Sequence, residues 1–157
     1  MNLSNEARSE VGSGDAGRER SQMSREDSRK AGLEIVSEML SPDIAKAIDG
    51  AAASPEFGAF IGELALRNVF GELWTRPGLD RRSRSLVTLG ILIALRATDE
   101  LEIHLLTALS NGLSLAELEE VLYHATGYAG FPAANSARSV ALKALRKHKL
   151  VDQGPGP

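Results

Sequence analysis

Apolar positions recur along most of this chain at helical spacing. Leu33, Val36, Met39 and Leu40 fall at i, i+3, i+6 and i+7, one face of a 3.6-residue repeat. Ser41-Pro42 interrupts that face, because the residue before proline avoids the helical region. Ile44, Ala45, Ala47 and Ile48 make a second, short patch. Ser54-Pro55 reads as an N-cap with proline at the first helical position, and Phe57, Phe60, Ile61, Leu64, Ala65 and Asn68 carry a helical pattern on to Gly71. Arg76-Pro77-Gly78 is turn chemistry. Asp80 then caps a helix over 81–95. That helix is apolar nearly all round after Leu86, which predicts a central, buried element. Thr98 or Asp99 opens the next helix, with Glu102 placed for a capping box from Asp99. Asn111-Gly112 stops it in a left-handed turn. Ser114 and Glu117 form another capping box, opening a helix that runs to about Ala129. Gly130-Phe131-Pro132 closes it and starts a last helix to about His148.

No strand pattern appears, so the expected fold is all-α, a single domain over residues 30–148. Residues 1–29 are rich in Ser, Gly, Arg and Glu and read as a disordered or loosely held tail, too polar to offset its ordering entropy by burial. Residues 149–157 read as a frayed tail.

Composition narrows the function. The chain has 157 residues, 43% hydrophobic but 4% aromatic, so its core is mostly Leu, Ala, Val and Ile. A net charge of −3 argues against electrostatic binding of nucleic acid. There is no cysteine, which excludes disulfides, thiolate metal sites and thiol redox chemistry. The longest apolar run, Leu86 to Leu95, is too short to span a membrane. The N-terminus mixes both charge signs and is no secretory leader. A cytoplasmic protein with no membrane partner is the expectation.

Candidate chemistry gathers between Gly71 and Gly112. Arg81, Arg84, Ser85 and Thr88 lie at i, i+3, i+4 and i+7, a polar stripe on the most apolar helix. Arg76, Arg81, Arg82 and Arg84 crowd its start, where basic residues oppose the helix dipole. Either they pair with the many Glu residues, or they meet an anionic ligand together with the helix N-terminus. His104 sits at the edge of an apolar face, as a packed, hydrogen-bonded residue or a catalytic one. His124 precedes Tyr128 by one turn, and His148 sits at a helix C-terminus. Glu72, close to Trp74, is open as an acid, an arginine partner or neither. No metal-ligand spacing, phosphate loop or GxSxG elbow is present.

The segments WTRPGLDRRSRSLVTLGILIAL and DELEIHLLTALSNGLSLAELEEVLYHATGYAGFPAANSA resemble the carboxymuconolactone decarboxylase family over roughly Phe57 to Leu145. The resemblance includes an HxxxAxxxG signature at His104, Ala108 and Gly112. The wider superfamily contains alkylhydroperoxidase-D-type peroxidases, which place a CxxC pair before the matching His and a Glu nineteen residues ahead of it. Here those positions hold Ala97, Glu100 and Ser85, so a thiol peroxidase is excluded by chemistry.

The resemblance implies an alkylhydroperoxidase-D-like helical bundle assembled as a ring-shaped homo-oligomer, a hexamer or trimer, without cofactor or metal. It implies decarboxylation of 4-carboxymuconolactone to 3-oxoadipate enol-lactone in the protocatechuate branch of aromatic catabolism, the β-ketoadipate pathway. In that chemistry the electrons of the leaving carboxylate pass through the ring double bond to the lactone carbonyl, so the substrate is its own electron sink. Arg81 and Arg84 then suit carboxylate binding and oxyanion stabilisation, and His104 proton delivery to the α-carbon. Glu72 joins His104 and Arg84 as a catalytic candidate, and Ser85, Trp74, Thr88, His124 and Tyr128 join Arg81 as substrate-binding candidates. Two features depart from the family pattern: GLEIVSEML lacks basic residues, and Arg138 replaces an apolar or aromatic residue. They keep open a paralogue acting as decarboxylase, isomerase or cyclase on another lactone or β-keto acid. A non-catalytic oligomeric scaffold is the remaining alternative.

Overall fold

The computed structural model describes residues 24–152, and every regular element among them is helical. The order is α1 (Arg25–Met39), α2 (Pro42–Ala52), α3 (Phe60–Leu64), a π-helical segment (Ala65–Leu73), α4 (Arg81–Leu95), α5 (Thr98–Ser110), α6 (Leu115–Tyr128) and α7 (Phe131–Lys147). None of these helices is long and apolar enough to cross a membrane. The all-α expectation holds.

Helix α1 starts at Arg25, five residues before the expected start of the domain at residue 30. Ser24 caps it by accepting from the Asp27 backbone N–H at 3.1 Å, and Glu26 and Asp27 complement the dipole in its first turn. Arg29 binds Glu63 at 2.7 Å and also pairs with Asp49, so polar side chains do here what apolar ones do further on. Residues 1–23 and 153–157 of the two expected tails lie outside the described residues.

Backbone contact between α1 and the π-helical segment organises the N-terminal half. A Cβ on Gly32 would overlap the Leu66 carbonyl, and one on Gly71 would overlap the Ser28 carbonyl. Only glycine lets two helices approach this closely. The helix leading there was expected to begin at Pro55. Instead it begins at Phe60, after Gly58 adopts a left-handed φ of 79°, and Phe57 stands fully exposed. Past Ala65 the chain widens to i→i+5 hydrogen bonding, and the Trp74 N–H donates to the Val69 carbonyl at 3.0 Å.

Two separate hydrophobic regions result. In the N-terminal half Ile35, Met39 and Trp74 form one cluster and Val36, Ala45 and Leu66 another, both packed against Phe70. In the C-terminal half Leu89 and Ile93 of α4 pack with Leu101, Leu105 and Ala108 of α5, Leu118 of α6 and the alanine face of α7. The caps expected for α4 and α6 are present: Asp80 accepts from the Ser83 N–H at 2.8 Å, and Ser114 and Glu117 close a capping box. Gly112 stops α5 with φ 94°. At the start of α5 the expected capping box is absent. Ala97 is the N-cap, without a side-chain bond, and Glu102 instead reaches Lys147 at 3.1 Å. Helix α4 is not buried all round either. Leu89 and Ile93 are buried, but Val87, Ile91 and Leu95 are exposed, because α5, α6 and α7 cover only one side of it within the chain.

The glycine contact makes a stability prediction. Gly71→Ala should cost about 1–3 kcal/mol or more through overpacking, read from the urea midpoint. Gly50→Ala has nothing within 4 Å of the added methyl and should be neutral or stabilising by up to about 1 kcal/mol.

Candidate active site

Three arginines open α4, two satisfied by glutamate carboxylates and one by backbone carbonyls. Arg81 reaches Glu38 of α1 at 2.6 Å. Arg82 pairs with Glu117 of α6. Arg84 donates from Nε to the Leu79 carbonyl at 3.0 Å and from a terminal nitrogen to the Arg76 carbonyl at 2.8 Å. Those acceptors are neutral. Arg84 is therefore fixed by the 76–79 turn while its full charge stays uncompensated, a preorganised positive group at the end of α4 that already favours anions.

One turn on, Ser85 is buried, and its hydroxyl accepts from Asn111 Nδ2 at 3.0 Å. The same amide lies 3.4 Å from Met39 Sδ. Asn111 thus joins α1, α4 and the end of α5. The sequence marked it only as part of a helix stop, and nothing local showed that its side chain would turn inward. Ser85, expected to meet substrate, has its oxygen engaged in this junction. Thr88 follows on the stripe, half-buried.

Trp74 comes from the end of the π-helical segment. Its ring stacks on Phe70 at 6.4 Å and on His104 at 6.5 Å, with interplanar angles of 27° and 20°. The wider π register sets this placement, since one extra residue per turn rotates everything after it. Burial pushes the His104 imidazole below the ordinary histidine range, and Glu100 pulls it partly back. Glu72 is exposed on the same segment, and its carboxylate makes no hydrogen bond or ion pair among the described residues.

His124 and Tyr128 lie elsewhere. Their rings meet at 4.8 Å on a groove of about 500 Å³ between α4 and α6, shared with Arg82, Gly90, Glu117 and Glu120. Leu86 lines that groove, whereas Thr88 sits about 200° further round α4. The expected single pocket therefore divides within the chain into two sets on opposite sides of α4. The groove carries no net positive charge. Glu117 neutralises Arg82, and Glu120 adds a negative charge.

Comparison with known proteins covers the same region. The carboxymuconolactone decarboxylase family profile matches residues 56–143, from the approach to α3 into α7. The chain is 39% identical over 121 residues to 4-carboxymuconolactone decarboxylase of Acinetobacter baylyi, covering 76% of this chain and 87% of that protein. It is 40% identical over 92 residues to nitrosuccinic acid decarboxylase of Metarhizium robertsii, covering 59% of this chain and 63% of that one. The chain belongs to the carboxymuconolactone decarboxylase family, and both relatives being decarboxylases supports a carboxy-lyase kind of activity.

The burial of His104 has a signed consequence. Its ring protons should titrate in NMR with a midpoint below ~6.5. Since the folded value is depressed, stability is full above the unfolded value and is lost as pH falls through the folded one. A midpoint at or above ~6.5 contradicts the desolvated placement.

Proposed function

We propose that the protein decarboxylates a small carboxylated substrate that carries its own electron sink, with 4-carboxymuconolactone as the first candidate and 3-oxoadipate enol-lactone as the product. The observation that carries this reading is the half-buried, Trp74-stacked His104 on a chain whose Arg84 keeps an uncompensated charge. In the lactone, cleavage of the carbon–carboxylate bond releases CO2, and the bonding pair moves through the ring alkene onto the lactone carbonyl oxygen. Arg84, with Arg81, stabilises that oxyanion and holds the remaining carboxylate. His104 returns a proton to the α-carbon as the carbonyl re-forms. The substrate takes up the electrons itself, so this reading needs no metal or organic cofactor. Nitrosuccinic acid fits the same logic: its nitro group receives the pair as a nitronate. That favours, as second reading, another dicarboxylic acid with an adjacent electron-withdrawing group. A scaffold that had lost its chemistry would pair all the arginines at the head of α4 with glutamates; Arg84, held by backbone carbonyls, is not so paired.

The test is loss of 4-carboxymuconolactone with purified protein. Turnover well above the spontaneous rate is expected, and folded protein that gives none overturns the substrate assignment. His104→Ala should lower kcat by about 10²–10⁴; an unchanged kcat removes His104 from the mechanism. A general acid is active when protonated, so the rate falls as pH rises through its pKa. The falling limb of kcat/KM should lie below ~6.5, the ordinary histidine value. The limb of kcat should lie above that of kcat/KM, because a bound carboxylate favours the imidazolium.

We further infer a homo-oligomer, in keeping with the ring implied by the family resemblance. Its support is the apolar stripe Val87, Ile91 and Leu95, each more than half exposed along α4 on a helix whose composition suits burial on all sides. Light scattering should give a mass several times that of the chain, and Ile91→Glu should reduce it. A monomeric wild-type protein contradicts this.

A further inference from the structure

The three arginine partners at the start of α4 differ in how readily they can leave. Glu117 accepts through its other oxygen from the Ser114 N–H at 2.9 Å and the Ser114 hydroxyl at 3.0 Å, so its carboxylate cannot swing away from Arg82 without undoing the cap of α6. The acceptors of Arg84 are backbone carbonyls held by the turn. Glu38 is different. Its side chain is 59% exposed, and its carboxylate has no other hydrogen bond or ion pair among the described residues. It stands in the last turn of α1, which has no basic residue, while Arg81 is the first residue of α4. Each charge is thus at the helix end its own dipole disfavours. They meet across the junction between the two halves of the molecule. An exposed pair of this kind contributes little to stability, so displacing Glu38 costs an external carboxylate little.

We infer that Glu38 is an internal counter-ion that occupies Arg81 when the site is empty and must be displaced by a substrate's second carboxylate. This rests on the reading that the start of α4 receives an anionic substrate. It extends that reading to a residue on α1, outside the span matched by the family profile. Arg84 takes a first carboxylate without competition. Arg81 takes a second only by releasing Glu38. Glu38 therefore sets the relative affinity for dicarboxylates and monocarboxylates.

The experiment titrates the full-length protein with succinate and, separately, with butyrate, by calorimetry and by the fluorescence of its single tryptophan, Trp74. Glu38→Gln should bind succinate about two- to five-fold more tightly, the range an exposed ion pair allows, and leave butyrate affinity unchanged. Glu38→Ala should reproduce the gain, since the charge and not the shape matters. In an Arg81→Gln background, Glu38→Gln should have no effect, which a merely structural role for Glu38 would not produce. Succinate binding that is unchanged, weaker or absent in Glu38→Gln overturns the inference, as does a gain that persists without Arg81. Lactone turnover is scored separately. Tighter succinate binding without turnover keeps the role of Glu38 and overturns the substrate. Turnover with succinate affinity blind to Glu38 does the reverse.

Discussion

The stack of Trp74 on His104 joins two halves that otherwise have separate hydrophobic cores. Trp74 belongs to the N-terminal core with Ile35 and Met39. His104 rides on α5, whose Leu101, Leu105 and Ala108 belong to the C-terminal one. Whatever fixes Trp74 therefore fixes the wall against His104. The chain of causes runs back through the π register, which aims the indole, to Gly71 and Gly32, which let α1 touch that segment backbone to backbone. A methyl group at either glycine acts on the candidate site without being part of it. The desolvation that lowers the His104 pKa follows from the same placement, linking packing to proton chemistry.

Electrostatics supply the second half of the account. Basic residues in the first turn of a helix work against its dipole, yet α4 begins with three of them within four positions. Two are neutralised by Glu38 and Glu117, and the third is held by carbonyls that leave its charge intact. A protein with net charge −3 thereby keeps one uncompensated positive charge at the head of α4. The two relatives described above are named for 4-carboxymuconolactone and nitrosuccinic acid, acids whose electron sinks differ.

Much of the fold was legible because its signals are local. Asp80, Ser114 with Glu117, Gly112 and Pro132 act within one turn of where they stand, and they end or begin helices where the pattern places them. The wider π register was not legible, since apolar spacing over Phe60–Gly71 fits an α-helix and only contact with α1 selects the alternative. The early start of α1 was missed because its stabilisation comes from Ser24 and from Arg29 with two distant carboxylates, not from apolar periodicity. In the candidate site, the resemblance pointed to His104 and the arginine cluster. It could not say which arginine keeps its charge, because Glu38 and Glu117 are distant in sequence. The resemblance also suggested His124 and Tyr128 as substrate-binding candidates beside His104. The rotation around α4 separates them, and a helix apolar on every side hides that rotation from the sequence.

The claim at the centre is that His104, set by Trp74, delivers the proton that completes decarboxylation. Turnover of the lactone in deuterium oxide tests it most directly, by NMR of the α-carbon of the product. Proton delivery from a fixed imidazole predicts deuterium at one prochiral position with the wild-type protein and loss of that selectivity in His104→Ala. Equal labelling of both positions by the wild-type protein would show that solvent, not His104, protonates the intermediate.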